Sequence, residues 1–323
     1  MSSDKYRLSL FDLPKIDSLE DLSYLSRLSK GQLYRFAKYS DWFYKSYRIP
    51  KKSGGERIIY QPSFKLKAIQ AWILRNILER LSISSASKGF SIGSSIKDNV
   101  KPHVGANAIL AIDIENFYPS IPANRVWFVY RTAGYSPQIA AVLTSLTTYN
   151  SFLPQGAPSS PRLSNLVCWS LDKRMLAFVG KREITYTRYG DDLSFSASSY
   201  QVLSKSFHTI KSIVRNEGFS LNESKTRFMG PAKQRRVTGL ILYENQFGIG
   251  RKQYRILRSK IHKMCFIPSD EIDSFLLNHI AGWLSYVKDV DTNRYNKLAK
   301  YILDLKKKFN SSAVSLLNVE ISA

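Results

Sequence analysis

The chain has 323 residues, of which 44% are hydrophobic and 13% aromatic, a composition that suits folded domains and excludes a disordered chain. Its 48 lysines and arginines against 25 acidic residues give a formal charge of +23, which favours a polyanionic partner such as nucleic acid. Two cysteines exclude a disulfide scaffold and a cysteine-rich zinc site, and no apolar run reaches the roughly 18 residues of a membrane span.

The predicted elements begin with helical patterns across residues 15–48. A basic turn with a glycine pair, Lys51–Arg57, follows and leads into the strand Arg57–Tyr60. Apolar residues on one face predict an amphipathic helix over Leu66–Leu81. The remaining predicted elements are a strand at 108–114, helices at 124–132, 137–148 and 158–179, strands at 183–188 and 193–197, a helix at 201–217, a hairpin of 236–243 with 246–251, and a largely helical region at 252–308. This mixture predicts an α+β fold.

Three aspartates stand where a sheet can expose them. Asp113 ends an apolar strand, and Asp191 and Asp192 lie in a tight turn between two apolar strands. If the strands pair, the carboxylates converge, and a hard divalent cation such as Mg²⁺ relieves their repulsion. Aspartate is also common in ordinary turns, so either feature alone is equally typical of a structural turn. Together they predict a site for two Mg²⁺ ions.

Five short segments give the chain a family resemblance. Asp113–Tyr118, Leu153–Pro161 and Tyr189–Asp192 resemble, in this order, motifs A, B and C of a reverse transcriptase palm. Asn99–His103 and Val237–Gly239 are similar to elements found in bacterial retron reverse transcriptases. The resemblance covers residues from about 50 to 250, and the coincidence of three spaced motifs makes it specific.

The resemblance implies a right-hand polymerase fold of the α+β class, with fingers, an antiparallel palm sheet and a mainly helical thumb. Residues 1–100 would form an N-terminal extension and the fingers. Residues 101–240 would form the palm, with part of the fingers inserted between motifs A and B. Residues 241–323 would form an RNA-binding thumb.

The resemblance also assigns the catalytic groups. Asp113 and Asp191 would hold the two Mg²⁺ ions, with the backbone carbonyl of Ile114 as a further oxygen ligand. Asp192 would support the same site less directly. Lys225 is placed like the motif D lysine, where an ammonium acts as a general acid towards the leaving pyrophosphate, although a surface lysine is the competing interpretation.

The nucleotide-binding residues follow from the same motifs. Tyr118 would lie beneath the sugar of the incoming nucleotide and exclude a 2′-hydroxyl, although a ring packed beside Phe117 is the simpler alternative. Gln155 and Gly156 would flank the nascent base pair. The triphosphate would be bound by the basic residues of the first turn, Arg57, Lys51 and Lys52, for which a solvated basic turn is the alternative.

Two groups of residues are predicted to contact the primer or the RNA. The first comprises His103 and the hairpin residues Val237, Thr238 and Gly239, although His103 is equally consistent with a local cap. The second is the stretch 251–263, which has six basic residues and no acidic one. On a helix its arginines share a face opposite Leu257 and Ile261. The basic residues assigned to RNA contact are Arg251, Lys252, Arg255 and Arg258.

The function implied by the resemblance is RNA-templated DNA synthesis from dNTPs on a structured noncoding RNA. Synthesis would start from a guanosine 2′-hydroxyl and give a branched, RNA-linked single-stranded DNA (msDNA), within an anti-phage system that has a separate effector protein. We expect a cytoplasmic bacterial protein without a membrane partner, because no secretion signal is evident. Alternatives are another reverse transcriptase of the group II intron type, an RNA-dependent RNA polymerase, which Tyr118 argues against, and a non-catalytic RNA-binding scaffold, which the intact aspartates argue against.

Overall fold

The computed structural model describes residues 4–51 and 54–321. The chain divides into two compact units. The described residues within Met1–Ser95, Leu110–Ala197 and Gln201–Phe228 form unit 1, whereas Ile96–Ile109, Ser198–Tyr200 and the described part of Met229–Ala323 form unit 2. Among the described residues no helix is both long enough and apolar enough to span a bilayer.

Helices are the predominant regular elements of both units. The α-helices are α1 (Lys5–Leu10), α2 (Leu19–Ser26), α3 (Lys30–Lys38), α4 (Phe64–Asn76), α5 (Ile96–Val100), α6 (Ala123–Ala133), α7 (Pro137–Thr147), α8 (Ser160–Val167), α9 (Trp169–Gly180), α10 (Tyr200–Asn216), α11 (Gly250–Lys263), α12 (Ser274–Val290) and α13 (Thr292–Lys308). Local sequence determines where several of these helices begin. Ser18 and Asp21 form a capping box at α2, and Ser29 and Gln32 form another at α3.

Nine strands form three sheets in the described chain. The strands are β1 (Tyr44–Pro50), β2 (Glu56–Pro62), β3 (Ala108–Asp113), β4 (Thr185–Tyr189), β5 (Asp192–Ala197), β6 (Arg227–Met229), β7 (Arg236–Val237), β8 (Leu240–Leu242) and β9 (Phe247–Gly248). The sheets have the orders β1-β2, β4-β5-β3-β6 and β7-β8-β9. The hairpins β1–β2, β4–β5, β7–β8 and β8–β9 are antiparallel.

The four-stranded sheet positions the candidate site. Its central strands β5 and β3 are almost entirely buried, with Leu110, Leu193 and Phe195 inaccessible to solvent. Helix α9 packs against β4, and α6 and α7 pack on each other in the same unit. Because both faces of β3 and β5 are covered, polar side chains reach solvent chiefly where these strands end.

Most predicted elements of this unit are confirmed, with shifted ends. Helix α4 ends at Asn76 rather than Leu81, because Ile77 leaves helical geometry and Leu78–Arg80 is a short 3₁₀ turn. The predicted helix at 158–179 is interrupted at Cys168. The helical interpretation of 15–48 is wrong at its C-terminal end, because Tyr44–Pro50 forms β1 and pairs with β2.

Unit 2 combines the three-stranded sheet β7-β8-β9 with the short helix α5 and the three longer helices α11, α12 and α13. Helices α11, α12 and α13 pack on one another, and Leu257, Ile261 and Ile302 are buried among them. The predicted strand at 236–243 is broken at Thr238 and Gly239, whose φ angles of 43° and 87° allow a tight turn, so β7 and β8 form their own hairpin.

Candidate active site

Asp113 is the last residue of β3, and backbone hydrogen bonds fix it from two sides. The Asn222 N–H donates to the Asp113 carbonyl at 2.8 Å. The Ile114 N–H donates to the Asp191 carbonyl at 3.0 Å, and this bond ties the turn that carries Asp191 to the end of β3. Asp113 therefore lies beside the turn that carries Asp191 and Asp192, at one edge of the sheet, as the sequence predicted.

The turn between β4 and β5 is held in a tight geometry. Tyr189 pairs with Asp192, which leaves Gly190 and Asp191 as the two turn residues. Gly190 has a φ angle of 64°, and a Cβ atom there would lie 2.9 Å from the Phe90 ring. The backbone conformation and this contact both favour glycine over a residue with a side chain.

The three carboxylates influence one another electrostatically. Burial, followed by the charges of Asp191 and Asp113, raises the pKa of Asp192 to about 6, although its side chain keeps some solvent exposure. Burial and the Asp113 charge likewise raise the pKa of Asp191. Burial and mutual repulsion therefore both disfavour the charged forms of Asp191 and Asp192, and a nearby positive charge would stabilise them.

Lys225 supplies a positive charge to the three aspartates. Its ammonium donates to both carboxylate oxygens of Asp113, each at 3.0 Å. Across residues 4–51 and 54–321, no group of three or more His, Cys, Asp or Glu side chains is arranged closely enough to form a metal site without rearrangement. The donors at this edge are nevertheless aspartate oxygens, and this chemistry fits a hard divalent cation that would share the Asp113 oxygens with Lys225 or displace its ammonium.

Three of the predicted nucleotide-binding residues are linked to their surroundings by specific interactions: Arg57, Tyr118 and Gln155. Burial and the Asp191 charge raise the pKa of the Tyr118 hydroxyl above its usual value, whereas Arg57 lowers it, so both charged groups act on this ring. The Tyr60 N–H donates to the Gln155 carbonyl at 2.8 Å, which joins β2 to the loop before α8. The structure thus brings Arg57 and Tyr118 near Asp191 and joins Gln155 to β2, all within unit 1.

The basic turn is only partly described. Lys51 is exposed, and its N–H donates to the Gly55 carbonyl at 2.9 Å, which closes the turn between β1 and β2. Lys52 lies outside the described residues. Phe117 is buried and its ring centroid lies 5.4 Å from that of Tyr118, so Tyr118 packs on its neighbour while remaining partly accessible.

Comparison with known proteins agrees with this geometry. Residues 49–242 match the family model described as "Reverse transcriptase (RNA-dependent DNA polymerase)", which is more than half of the chain. The chain belongs to the reverse transcriptase family. It is 43% identical over 312 residues to Retron Ec86 reverse transcriptase of Escherichia coli, with 96% of each chain covered. It is also 31% identical to Retron Mx65 reverse transcriptase of Myxococcus xanthus, covering 92% of this chain and 74% of that one.

These matches confirm the predicted retron reverse transcriptase and its activity class, an RNA-dependent DNA polymerase. They therefore favour the retron assignment over the intron-type, RNA polymerase and scaffold alternatives. The helices and strands of the structure confirm the mixed α+β fold class as well. Among solved structures, a foamy viral protease-reverse transcriptase is similar, with a TM-score of 0.44, 15% sequence identity, and coverage of 82% of this chain and 38% of that one.

The RNA-side residues predicted for this reverse transcriptase lie in unit 2. His103 is fully buried, and burial lowers its pKa to about 4, so it is neutral at physiological pH. The Asn99 side-chain amide donates to the Thr238 hydroxyl at 3.2 Å, which joins the two retron-type segments to each other. Val237 is buried beside Thr238 and Gly239 in the β7–β8 hairpin.

Helix α11 has the two-sided character that the sequence indicated. Leu257 and Ile261 are buried, whereas the predicted RNA-contacting residues are exposed; these are Arg251, Lys252, Arg255 and Arg258. The Arg258 guanidinium lies 4.3 Å from the centroid of the Tyr301 ring, a cation–π contact that orients one of the four.

One important residue pair was missed by the sequence analysis. Arg188 and Asp172 are fully buried and form a bidentate ion pair, with bonds of 2.9 Å and 2.7 Å. Arg188 also donates to the Asn165 side chain at 2.9 Å and to the Gly190 carbonyl at 3.1 Å, so the pair supports the turn that carries Asp191. The sequence signal for this pair was Arg188 itself, a charged residue inside the otherwise uncharged strand β4.

Substituting Gly156 with alanine tests how closely the loop before α8 must approach β2. Gly156 has a φ angle of 124°, and a Cβ atom would lie 2.8 Å from the Tyr60 carbonyl and 2.9 Å from Ile59 Cγ2. Because both backbone strain and this clash oppose alanine, we expect the loop to separate from β2 and the KM for dNTP to rise by roughly 10-fold. Steady-state primer extension measures the change.

Gly180→Ala is the matched control for that substitution. Gly180 ends α9, and a Cβ atom there would meet no neighbouring group within 4 Å, so this variant should keep the wild-type KM. An unchanged KM in Gly156→Ala would show that close approach of this loop is not needed for nucleotide binding.

Proposed function

We propose that this reverse transcriptase copies a structured noncoding RNA into DNA, beginning at a guanosine 2′-hydroxyl and yielding branched msDNA. The observation that carries the proposal is the convergence of Asp113 with the Asp191–Asp192 turn, within a chain 43% identical to a retron enzyme. We assign residues 1–100 to an N-terminal extension and fingers, 101–240 to the palm and 241–323 to the thumb.

The aspartates are the proposed ligands of two Mg²⁺ ions. Asp113 and Asp191 would hold them with the Ile114 carbonyl, and Asp192 would add negative charge beside them. When bound, the magnesium ions supply the charge that activates the primer hydroxyl and stabilises the leaving pyrophosphate. The protein's own contribution is to hold these oxygens at the rigid end of a buried strand, so little reorganisation is needed.

Lys225 is proposed as the general acid that protonates the leaving pyrophosphate. Its ammonium lies 3.0 Å from both Asp113 oxygens and is only partly buried, so it is near the reacting groups and able to move. Because Asp113 would also hold a magnesium ion, the Lys225 ammonium would be available to turn from these oxygens towards the substrate phosphates.

The incoming dNTP would be held on the β2 side of the site. Arg57 is exposed on β2 and acts electrostatically on Tyr118, so it is suited to binding the triphosphate bidentately. Lys51 and Lys52 would add positive charge from the preceding turn. Gln155 and Gly156, joined to β2 through the Tyr60 N–H, would contact the nascent base pair.

Replacing Tyr118 with alanine is expected to relax sugar selection. If the ring excludes the 2′-hydroxyl, its removal should lower the preference for dGTP over GTP by about 10- to 200-fold, the range for a lost steric contact. Single-nucleotide extension with each substrate gives the ratio of kcat/KM values. Tyr118→Phe keeps the ring and should retain the preference, whereas an unchanged ratio in Tyr118→Ala would remove Tyr118 from sugar selection.

The RNA is proposed to lie against unit 2. The exposed cations of α11, namely Arg251, Lys252, Arg255 and Arg258, would contact phosphates, and His103 together with the β7–β8 turn would support the primer end. A cytoplasmic location, a separate effector protein and a role in anti-phage defence complete the proposal, and they follow from the retron assignment alone.

The proposal is tested in cells that express the chain together with its flanking DNA. Wild-type protein should yield a short DNA that changes mobility after RNase treatment and after treatment with a 2′–5′ debranching enzyme. Asp191→Asn protein should yield none. Linear DNA without an RNA branch would contradict 2′-hydroxyl priming, and retained RNA without any DNA in the wild type would contradict the catalytic assignment.

A further inference from the structure

An exposed group of aromatic and basic side chains lies at the end of α3, in unit 1. We call Tyr34, Lys38, Tyr39 and Trp42 the aromatic platform. The rings of Tyr39 and Trp42 are stacked, with centroids 4.9 Å apart and an interplanar angle of 26°. The Lys38 ammonium lies 5.4 Å from the Tyr39 centroid and 5.5 Å from that of Tyr34. Trp42 is 80% exposed and Tyr34 is 53% exposed.

Core packing does not require these rings. Helix α3 buries Leu33 and Phe36, and Phe36 contacts Phe43 edge-to-face with centroids 4.7 Å apart. The platform residues project from the opposite side of this anchored segment and remain accessible. Large aromatic rings left exposed and stacked on a rigid base typically mark a binding surface.

A cavity of about 300 Å³ lies beside the segment that carries the platform. It is lined by both strands of the first hairpin and by the loop after α7, with Arg48, Tyr60, Tyr149 and Asn150 among its walls. The Asp41 carboxylate accepts a 2.7 Å hydrogen bond from the Asn150 N–H. This bond joins the platform segment to the wall of the cavity and engages the acidic side chain that lies between Tyr39 and Trp42 in the chain.

This surface is separate from the proposed dNTP site. Side chains alternate along a strand, so Arg57 and Ile59 lie on one face of the hairpin, whereas Arg48, Ile58 and Tyr60 lie on the other. Ile59 faces Gly156 of the loop before α8, and the cavity is therefore on the opposite face of the hairpin.

We propose that the aromatic platform and the adjoining cavity bind unpaired nucleotides of a single-stranded nucleic acid. Bases stack on accessible aromatic rings, and a neighbouring ammonium or guanidinium contacts the backbone phosphates, which is the general chemistry of single-strand binding. The formal charge of +23 favours a polyanion over an apolar partner at this surface. The cavity is large enough to take one base, stacked against Tyr60 or Tyr149.

The test measures binding without polymerisation, so it is independent of the proposed function. Full-length Asp191→Asn protein is titrated with fluorescein-labelled oligouridylate or oligothymidylate of 12 nucleotides, and anisotropy gives the Kd. Adding Tyr39→Ala and Trp42→Ala should weaken binding by roughly 10- to 100-fold, since base stacking is lost. Tyr24→Ala is the matched control, because Tyr24 is 85% exposed on α2 outside the platform.

A second measurement locates the contact. Oligonucleotides containing 5-iodouracil should crosslink to Trp42 or Tyr39, and Trp42→Phe should restore most of the affinity lost in Trp42→Ala because it keeps a stacking ring. Comparison of the two probes shows whether RNA or DNA is preferred. Weaker binding of either probe by the double variant supports the proposal. Wild-type affinity in the double variant, or crosslinks confined to other residues, would overturn it and leave the platform as a protein-binding surface.

Discussion

Asp191→Asn is expected to abolish DNA synthesis while leaving RNA binding intact. The substitution keeps the size of the side chain but removes one negative charge from a cluster of three aspartate carboxylates. Such a site contributes to catalysis mainly by stabilising charge at the reacting phosphate. We therefore expect the rate of extension to fall by at least about 1,000-fold. Primer extension on an RNA template measures the rate, and filter binding measures RNA retention.

Glu183→Gln is the control for that experiment. Glu183 is exposed just before β4, at the other end of the hairpin that carries Asp191. Its neutralisation changes the total charge equally but leaves the aspartate edge untouched, so extension should continue at the wild-type rate. Full extension by Asp191→Asn would remove this carboxylate from the catalytic machinery.

Removing the buried Arg188 charge is expected to cause the largest loss of stability. Arg188→Met leaves the Asp172 carboxylate buried with its ionic partner gone, while Tyr186 still donates to it at 2.8 Å. Breaking one side of a fully buried pair costs about 3–5 kcal/mol, which is a large share of a domain's stability. Urea denaturation followed by circular dichroism gives the change in the free energy of unfolding.

Two further variants make that result specific. Arg48→Met removes an ion pair with Glu56 whose side chains are 70% and 55% exposed, so it should cost no more than about 1 kcal/mol. The double variant Arg188→Met, Asp172→Leu removes both buried charges and should recover part of the loss. Equal effects for Arg48→Met and Arg188→Met would contradict the role assigned to the buried pair.

The arrangement of the aspartates could be predicted because each depends on local sequence. Asp113 follows a continuous apolar run, and Gly190 with two aspartates between apolar strands indicates a tight turn. Order along the chain then identified the motifs. The helices α4, α6, α7 and α10 were predicted for the same reason, since their periodic apolar residues are the ones that the structure buries.

The features that depend on distant partners could not be predicted. Strand β1 is almost wholly exposed and lacks an alternating apolar pattern, so only its pairing with β2 defines it. The Arg188–Asp172 pair links residues 16 apart through tertiary packing. The contact of Lys225 with Asp113 spans 112 residues, and the sequence indicated a role for that lysine without its partner.

These aspartates are proposed to bind two divalent cations where DNA synthesis occurs. This binding is tested most directly by counting Mn²⁺, a paramagnetic substitute for Mg²⁺, in the protein bound to an RNA template, a primer that cannot be extended and a dNTP. Electron paramagnetic resonance should show two bound ions in the wild type and fewer in Asp113→Asn and Asp191→Asn. The same two bound ions in both variants would contradict the account.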